Sequence, residues 1–377
     1  MNIPKSAPVR ISIRSKLLIY ILLTATVIFI TTLGYIVSNT NKNAIEDAHK
    51  YVVATSQQYA NAVKATLDND IAICRSLANA FSGYKDISSK QRYNIYNQIM
   101  KNTLINNPQF KSIWTSWELN AIDPNFTEIN GRDRYMYYRK GNEIRFTDET
   151  IEVGETNLGG TYYDIKGNPR EVLTDPYYDT YIDQQGVQLL MSSIAIPLLD
   201  NGIFVGLTGA DIEMGRFYDV ISNIVPFTGS YAIMISGSGQ IIAHPDNNLI
   251  NTSILDTELG KHSSVNLGNK LKTGDSFSYS EDAEGLFISF APFNPGTSNE
   301  TWFIIIVVPS DIILLKAENT FKISVIVGFF GILILALLIW FIARSITSPL
   351  IKTTKILNQL STGDIKDLEV FKVNTHD

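Results

Sequence analysis

Cysteine is almost absent. Cys74 is the only one in 377 residues, so no intrachain disulfide can brace the fold and stability has to come from core burial. Histidine is scarce too: His49, His244, His262 and His376 lie far apart with no metal-ligand spacing, and no metal site is expected. The chain has no phosphate-cradling glycine loop leading into a lysine-bearing helix, no Gly-x-Ser-x-Gly elbow and no Cys/His arrangement. Neither catalytic residues nor a cofactor are expected, and the chain does not read as an enzyme. Glycine and proline are nearly missing from residues 39–82, and charge is missing altogether from 17–37 and 323–343.

Those two uncharged runs are where the mean hydropathy of +0.05 is concentrated. At about 1.5 Å per residue, each is long enough to cross a bilayer core of roughly 30 Å. Each predicts a transmembrane helix, the second with Trp340 placed as an interfacial anchor. A cleaved signal peptide is the competing reading of the first run. Such apolar regions have about 7–15 residues and end in a small-residue motif, whereas this run is longer and flows into Ser38-Asn39-Thr40-Asn41. Lys5, Arg10, Arg14 and Lys16 precede the first span, and Arg344, Lys352 and Lys355 follow the second. The positive-inside tendency then puts both ends in the cytoplasm and 38–322 outside, in an inner (plasma) membrane protein. Nine of the 31 basic residues and four of the 37 acidic ones fall outside that segment, which leaves it 22 basic and 33 acidic, a net charge of −11. An acidic segment with no basic stripe is not expected to bind nucleic acid.

Within the outer segment, Ala48, Val52, Ala62, Leu67, Ile71, Ala78 and Phe81 recur at roughly helical spacing, predicting a long helix that leads out from the membrane. It serves equally as a dimer partner or as a stalk packed on its own domain, and Cys74 should be buried in it. A second helix is predicted over 88–105, capped by Ser88 or Ser89. The period then turns strand-like over 110–119, 134–139, 189–197 and 204–212. Turns fall at Ile129-Asn130-Gly131-Arg132, Lys140-Gly141-Asn142 and Asp200-Asn201-Gly202, the last a strong hairpin signal. A helix over 215–224 precedes strands at 232–236, 240–244, 275–279, 286–292 and 302–309, with a hairpin turn at Ser236-Gly237-Ser238-Gly239. A helix over 310–322 feeds the second span. The fold class is α+β: a long N-terminal helix and two antiparallel-sheet modules, flanked by transmembrane helices.

Three runs in order carry a resemblance: Glu171-Val172-Leu173-Thr174-Asp175-Pro176-Tyr177-Tyr178, then Leu190-Met191-Ser192-Ser193-Ile194-Ala195-Ile196-Pro197, then the stretch from Asp200 through Gly206-Leu207-Thr208-Gly209-Ala210-Asp211-Ile212. Over 38–322 the chain resembles the double Cache sensor domain of methyl-accepting chemotaxis proteins and sensor kinases, whose modules are PAS-like. The resemblance implies a membrane-distal module at about 83–225 and a proximal one at about 226–310. The run from Gly237 to Pro245 is similar to the proximal Cache hairpin, with His244-Pro245 as a structural turn. Residues 344–377, with Ile346-Thr347-Ser348-Pro349-Leu350, Ile356-Leu357, Leu360 and Gly363-Asp364, are similar to the first part of a HAMP linker, which packs as a dimeric coiled coil. The resemblance therefore implies a homodimer through stalk and HAMP helices. It also implies an output domain beyond Asp377 that meets cytoplasmic signalling proteins. A sensor histidine kinase or cyclase is the alternative to a chemoreceptor.

In double Cache receptors for amino acids, the distal module holds the ligand's ammonium with acidic and aromatic residues. The matching positions here are Tyr177, Asp179 and Asp211. An aromatic pair matches Tyr162 and Tyr163, but the arginine that takes the ligand's carboxylate in an Arg-x-Trp-Tyr run is absent from Gly160-Thr161-Tyr162-Tyr163. Arg132, Arg134, Arg139 or Arg145 could supply that clamp, and without one the pocket suits an amine or a neutral polar metabolite. Trp114 and Trp117, three apart on one strand, point to opposite faces. Trp114 is the better candidate for the ligand side. The small extracellular ligand is expected to be an amino acid or an amine, since shielded carboxylates and aromatic faces both attract cations.

Overall fold

A computed structural model describes residues 13–179, 188–298 and 300–361. Lys5, Arg10 and the Gly363-Asp364 pair lie outside the described residues. The chain divides into one unit of residues 47–313 and another of residues 1–46 with 314–377.

In the 47–313 unit, the long helix α1 (Ile13–Phe81) buries Val52, Ser56, Ala60, Val63, Leu67, Ile71, Cys74, Leu77 and Phe81. These positions recur every three or four residues, so one stripe of α1 is committed to its own domain. Ala62, assigned to the apolar face by its spacing, is exposed instead, because the stripe passes through Ala60 and Val63. His49 stacks on Phe287 with ring centroids 3.6 Å apart. Ser56 Oγ lies 2.9 Å from Ser289 Oγ. Helix α2 (Ser89–Asn106) starts at Ser88, whose side chain accepts from the Gln91 amide while Gln91 reaches back, a capping box.

The first sheet comprises β1 (Phe110–Glu118), β2 (Arg132–Lys140), β3 (Glu143–Ile151), β4 (Val172–Leu173), β5 (Tyr177–Asp179), β6 (Leu189–Asp200) and β7 (Ile203–Glu213). Its order is β3-β2-β1-β7-β6-β4, with β5 also pairing with β6, and every pairing is antiparallel. The β6–β7 hairpin turns on Asn201 and Gly202, with φ of 50° and 84°, which is why Asp-Asn-Gly was legible as a turn. Strand β3 was not foreseen. It is a largely polar edge strand whose side chains are mostly exposed, and its apolar alternation is limited to Ile144 and Phe146.

The second sheet comprises β8 (Tyr231–Ile235), β9 (Ile241–Ala243), β10 (Phe277–Glu281), β11 (Leu286–Phe293) and β12 (Trp302–Pro309), in the order β10-β11-β12-β8-β9. β12 is buried on both faces, and such strands read as continuous apolar runs. Phe303, Ile305 and Val307 join Ile233, Ile235, Ile288 and Phe290 in one core. The helices α3 (Leu119–Ile122), α4 (Thr161–Gly167), α5 (Tyr218–Ser222), α6 (Glu258–Lys261) and α7 (Leu267–Thr273) are short, and α8 (Ser310–Ser361) follows β12. His244 belongs to a turn, where its Nδ1 accepts from the Asp246 amide at 2.8 Å.

The loop between β11 and β12 is clasped to α1. Lys64 Nζ donates to Asn294 O at 2.7 Å, and Gly296 N donates to Asp68 Oδ1 at 2.7 Å. Glu171 accepts from Arg75 Nε at 2.7 Å and Arg75 Nη2 at 2.6 Å, and it also takes the Thr297 amide. Burial pushes the Glu171 carboxyl up, but the Arg75 and Thr297 hydrogen bonds outweigh it and hold the pKa at about 2.

In the other unit, both apolar runs lie in helices long and apolar enough to cross a membrane by length and composition. A Cβ on Gly328 would fall 1.6 Å from Phe29 Cζ, so the two runs meet closely there.

Candidate functional site

One face of the first sheet forms the floor of a cavity of about 590 Å3. The pairing register explains which residues share that face. Asp211 on β7 stands opposite Ser112 on β1 and Ser193 on β6. Both serines donate to it, Ser112 Oγ to Oδ2 at 2.5 Å and Ser193 Oγ to Oδ1 at 2.6 Å. Trp114 Nε1 donates to Oδ1 at 3.0 Å. Asp211 is only 3% exposed, and this group of donors is what a buried carboxylate requires. The network extends outward, for Tyr177 OH lies 2.7 Å from Ser193 Oγ. Burial raises the pKa of the Tyr177 phenol, with Asp211 adding to the effect.

A glycine lets the strands of this floor pack closely. At Gly209, opposite Trp114, a Cβ would lie 1.8 Å from Ile194 O and 2.8 Å from Trp114 Cζ2. Only glycine lets β6, β7 and the indole approach this closely.

The cavity wall comes from α4 and β2. Tyr162 OH donates to Glu118 Oε1 at 2.9 Å, and Lys166 Nζ donates to Glu118 Oε2 at 2.9 Å, so the buried Glu118 is paired. Burial, then Glu118, raises the Tyr162 pKa. The Arg132 guanidinium lies 4.1 Å from the Tyr162 ring centroid, a cation–π contact. Its Nε donates to Glu152 at 2.9 Å and its Nη1 to Ser116 Oγ at 3.2 Å. Glu152, in the left-handed region at φ 61°, also accepts from Tyr163 OH at 2.7 Å.

The structure brings Trp114, Tyr162, Tyr177, Asp179 and Asp211 to this one cavity, and leaves out Tyr163. The reason is helical: neighbours in α4 are offset by about 100°, so when Tyr162 faces the cavity Tyr163 turns to Glu152. Trp117 lies on the opposite face of the sheet, against Phe81, Tyr84 and Tyr96, beside a second cavity of about 610 Å3 under α2. None of the six predicted residues lines that one. Of the four arginines considered as a clamp, Arg132 and Arg134 line the first cavity. Arg139 donates to the Phe110 and Leu104 carbonyls, and Arg145 pairs with Glu143. The roles of Ser112, Glu118 and Glu152 were not legible in advance, since they depend on strand register. Ser193 at least fell within a recognised run.

The dCache_1 family model, a Cache domain, matches residues 37–317. The chain is 26% identical over 242 residues to the methyl-accepting chemotaxis protein PctB of Pseudomonas aeruginosa, covering 61% of this chain and 36% of that protein. It is 22% identical over 301 residues to TlpQ of the same organism, covering 70% and 41% respectively. The chain thus spans well under half the length of these relatives. Among solved structures, the extracellular domain of the putative histidine kinase mmHK1S-Z2 matches with a TM-score of 0.56 at 22% identity, over 71% of this chain and 99% of that one. The periplasmic sensory domain of the Campylobacter jejuni chemoreceptor Tlp1 matches with a TM-score of 0.54 at 14% identity, over 72% and 98%. The family model covers about three quarters of the chain, and its long helix and two antiparallel sheets are consistent with that match: the chain belongs to the Cache domain family.

Proposed function

We propose that this chain is the sensory part of a transmembrane chemoreceptor, and that its first-sheet cavity binds a small extracellular molecule through a positively charged amino group. The observation that carries this reading is the charge of the lining. Asp164, Asp175, Asp179, Asp211 and Glu300 face it against Arg132, Arg134 and Arg170, and those arginines are paired with Glu152, Glu149 and Asp164. A half-enclosed site with excess carboxylate and the faces of Trp114 and Tyr177 attracts an ammonium. Burial, then Asp175, raises the Glu300 pKa.

The 17–37 and 323–343 runs span the inner membrane in this reading, with 38–322 outside and a homodimer formed through the stalk helices and a HAMP-like linker. The exposed apolar side chains of those runs, among them Leu23, Ile28, Val327 and Phe341, support it, since they need lipid or protein around them. A chemotaxis output is favoured over a kinase or cyclase because the relatives PctB, PscA, TlpQ and McpA are all methyl-accepting chemotaxis proteins.

The test is calorimetric titration of the full chain in detergent micelles with primary amines and amino acids. Asp211→Asn should weaken binding of every ammonium-bearing ligand by roughly ten- to a hundredfold, the value of a hydrogen bond to a charged group. Unchanged affinity in that variant would remove Asp211 from the site.

A further inference from the structure

We infer that the cavity under α2, on the opposite face of the first sheet, is a second binding site, and that it takes an uncharged, flat aromatic molecule with an N–H on its edge. Its volume of about 610 Å3 is of the size that ligand sites occupy. The helical repeat explains its roof: Tyr93, Tyr96, Asn97, Met100 and Leu104 recur every three or four residues, so one stripe of α2 faces the sheet. On the sheet side, Thr115 and Trp117 of β1 stand opposite Tyr135 and Asp133 of β2, on the face away from Trp114. Asn97 is the polar member of the buried stripe. It is only 7% exposed, and its Oδ1 is buried with no hydrogen-bond partner among the described residues. A buried acceptor left unmade is costly, and a ligand N–H against it removes that cost. A primary amide carries its acceptor and its donors on one rotatable group, so a half-turn of the Asn97 side chain presents either to the cavity.

The walls are aromatic. Tyr96 and Trp117 lie nearly parallel, 17° apart with ring centroids at 6.0 Å, and Tyr93 meets Tyr135 edge to face at 5.5 Å. Tyr96 and Trp117 are buried, whereas Tyr93 is 42% exposed and stands at the mouth, where its face receives an entering ring. The charges in the lining balance: Lys90 and Arg92 against Asp123 and Asp133. Arg92 already donates to Tyr84 O at 3.3 Å and to Ile122 O at 3.2 Å. Asp133 accepts from Tyr135 OH at 3.2 Å and from Thr150 Oγ1 at 2.6 Å, and Asp123 accepts from the Asn125 amide at 2.9 Å. Tyr96 OH donates to Phe81 O at 3.1 Å, and Thr115 Oγ1 to Leu207 O at 3.2 Å. Among the described residues this lining has no excess of carboxylate to draw an ammonium, so the occupant is uncharged and differs from that of the other face. Stacking on tyrosine and one bond to the Asn97 amide is the recognition suited to an aromatic carboxamide or a nucleobase.

The experiment titrates the full chain in micelles, against a micelle blank, with pairs of compounds that are uncharged at neutral pH: nicotinamide and 3-acetylpyridine, benzamide and acetophenone, adenine and purine. The first of each pair carries an NH2 group where the second has a methyl group or a hydrogen. In the wild-type chain the NH2 compound of at least one pair should bind roughly three- to tenfold tighter than its partner, the net value of a neutral hydrogen bond. Asn97→Leu should bring that ratio close to one. Because it replaces an unpartnered buried acceptor with an apolar group, it should also leave the unliganded chain melting no lower than wild type. Tyr93→Ala, at the exposed mouth, should weaken both members of the pair by roughly threefold or more. Equal binding within every pair, a ratio that survives Asn97→Leu, affinities untouched by Tyr93→Ala, or binding of none of the compounds overturns the site. A lower melting temperature in Asn97→Leu would show that the amide has a structural role and overturns it as well. None of these outcomes bears on the ammonium site of the other face.

Discussion

Asp211 shows how much one side chain can depend on its neighbours' register. Its carboxylate is acceptable in the sheet because Ser112, Trp114 and Ser193 supply donors from the two adjacent strands. Its position in the Gly-x-Asp strand could be read from the chain, but those donors could not, since they come from residues 18 to 99 positions away. Tyr163 falls outside the cavity for a related reason, since adjacent matches in a motif do not share a face once the segment is helical. Cys74 is inert by the same logic of surroundings. Burial, with Asp70 and Asp211 adding to it, pushes its thiol pKa up, so it packs as a small apolar residue. The tightest constraint is Gly209. Gly209→Ala drives a Cβ into the Ile194 carbonyl and the Trp114 indole, and should cost about 3 kcal/mol, at the upper end for overpacking. It should also displace Trp114 from Asp211. Thermal unfolding followed by indole fluorescence reads both effects, and a variant with wild-type melting and emission would refute the packing argument.

Among the elements, long periodic ones were legible and short or polar ones were not. α1, α2, the β6–β7 hairpin and β12 announce themselves by spacing, capping and unbroken apolar runs. β3 is hidden by its exposed polar face, and α6 and α7, of four and seven residues, are too short to establish a period. The contact between elements with the clearest chemical signature is the Arg75–Glu171–Thr297 clasp, which ties α1 to the β11–β12 loop one residue before the cavity-lining Val172. The carboxyl of Glu171 is depressed to about 2, against an ordinary value of about 4.3. A depressed carboxylate stabilises the fold above its unfolded pKa and loses that contribution as pH falls through the folded one. Glu171→Gln should therefore lower the melting temperature at neutral pH, by an amount worth about 1 kcal/mol because Arg75 is partly exposed. The gap from wild type should close as pH falls from about 4.3 towards 2. A gap independent of pH would show that the ion pair contributes nothing. Arg216 makes a second tie, from just beyond β7 to the buried Asp70 of α1, so the strand bearing Asp211 and the strand segment beside Glu171 both connect to the same helix.

At the scale of the whole molecule, α1 continues from the N-terminal apolar run into the domain that holds the cavity, and α8 continues from the second sheet into the C-terminal apolar run. A ligand shifts a molecule only by the difference in its affinity for two arrangements. Everything depends on the ligand occupying the Asp211 cavity rather than the slightly larger one under α2. The most direct measurement is an experimental structure of the chain bound to the tightest amine or amino acid found by titration. The account predicts the ligand's ammonium within about 3 Å of a carboxylate oxygen of Asp211 or Asp179, with Trp114 and Tyr177 against its body. A ligand seated instead against Asn97, Tyr93 and Tyr135, on the other face of the sheet, would contradict it.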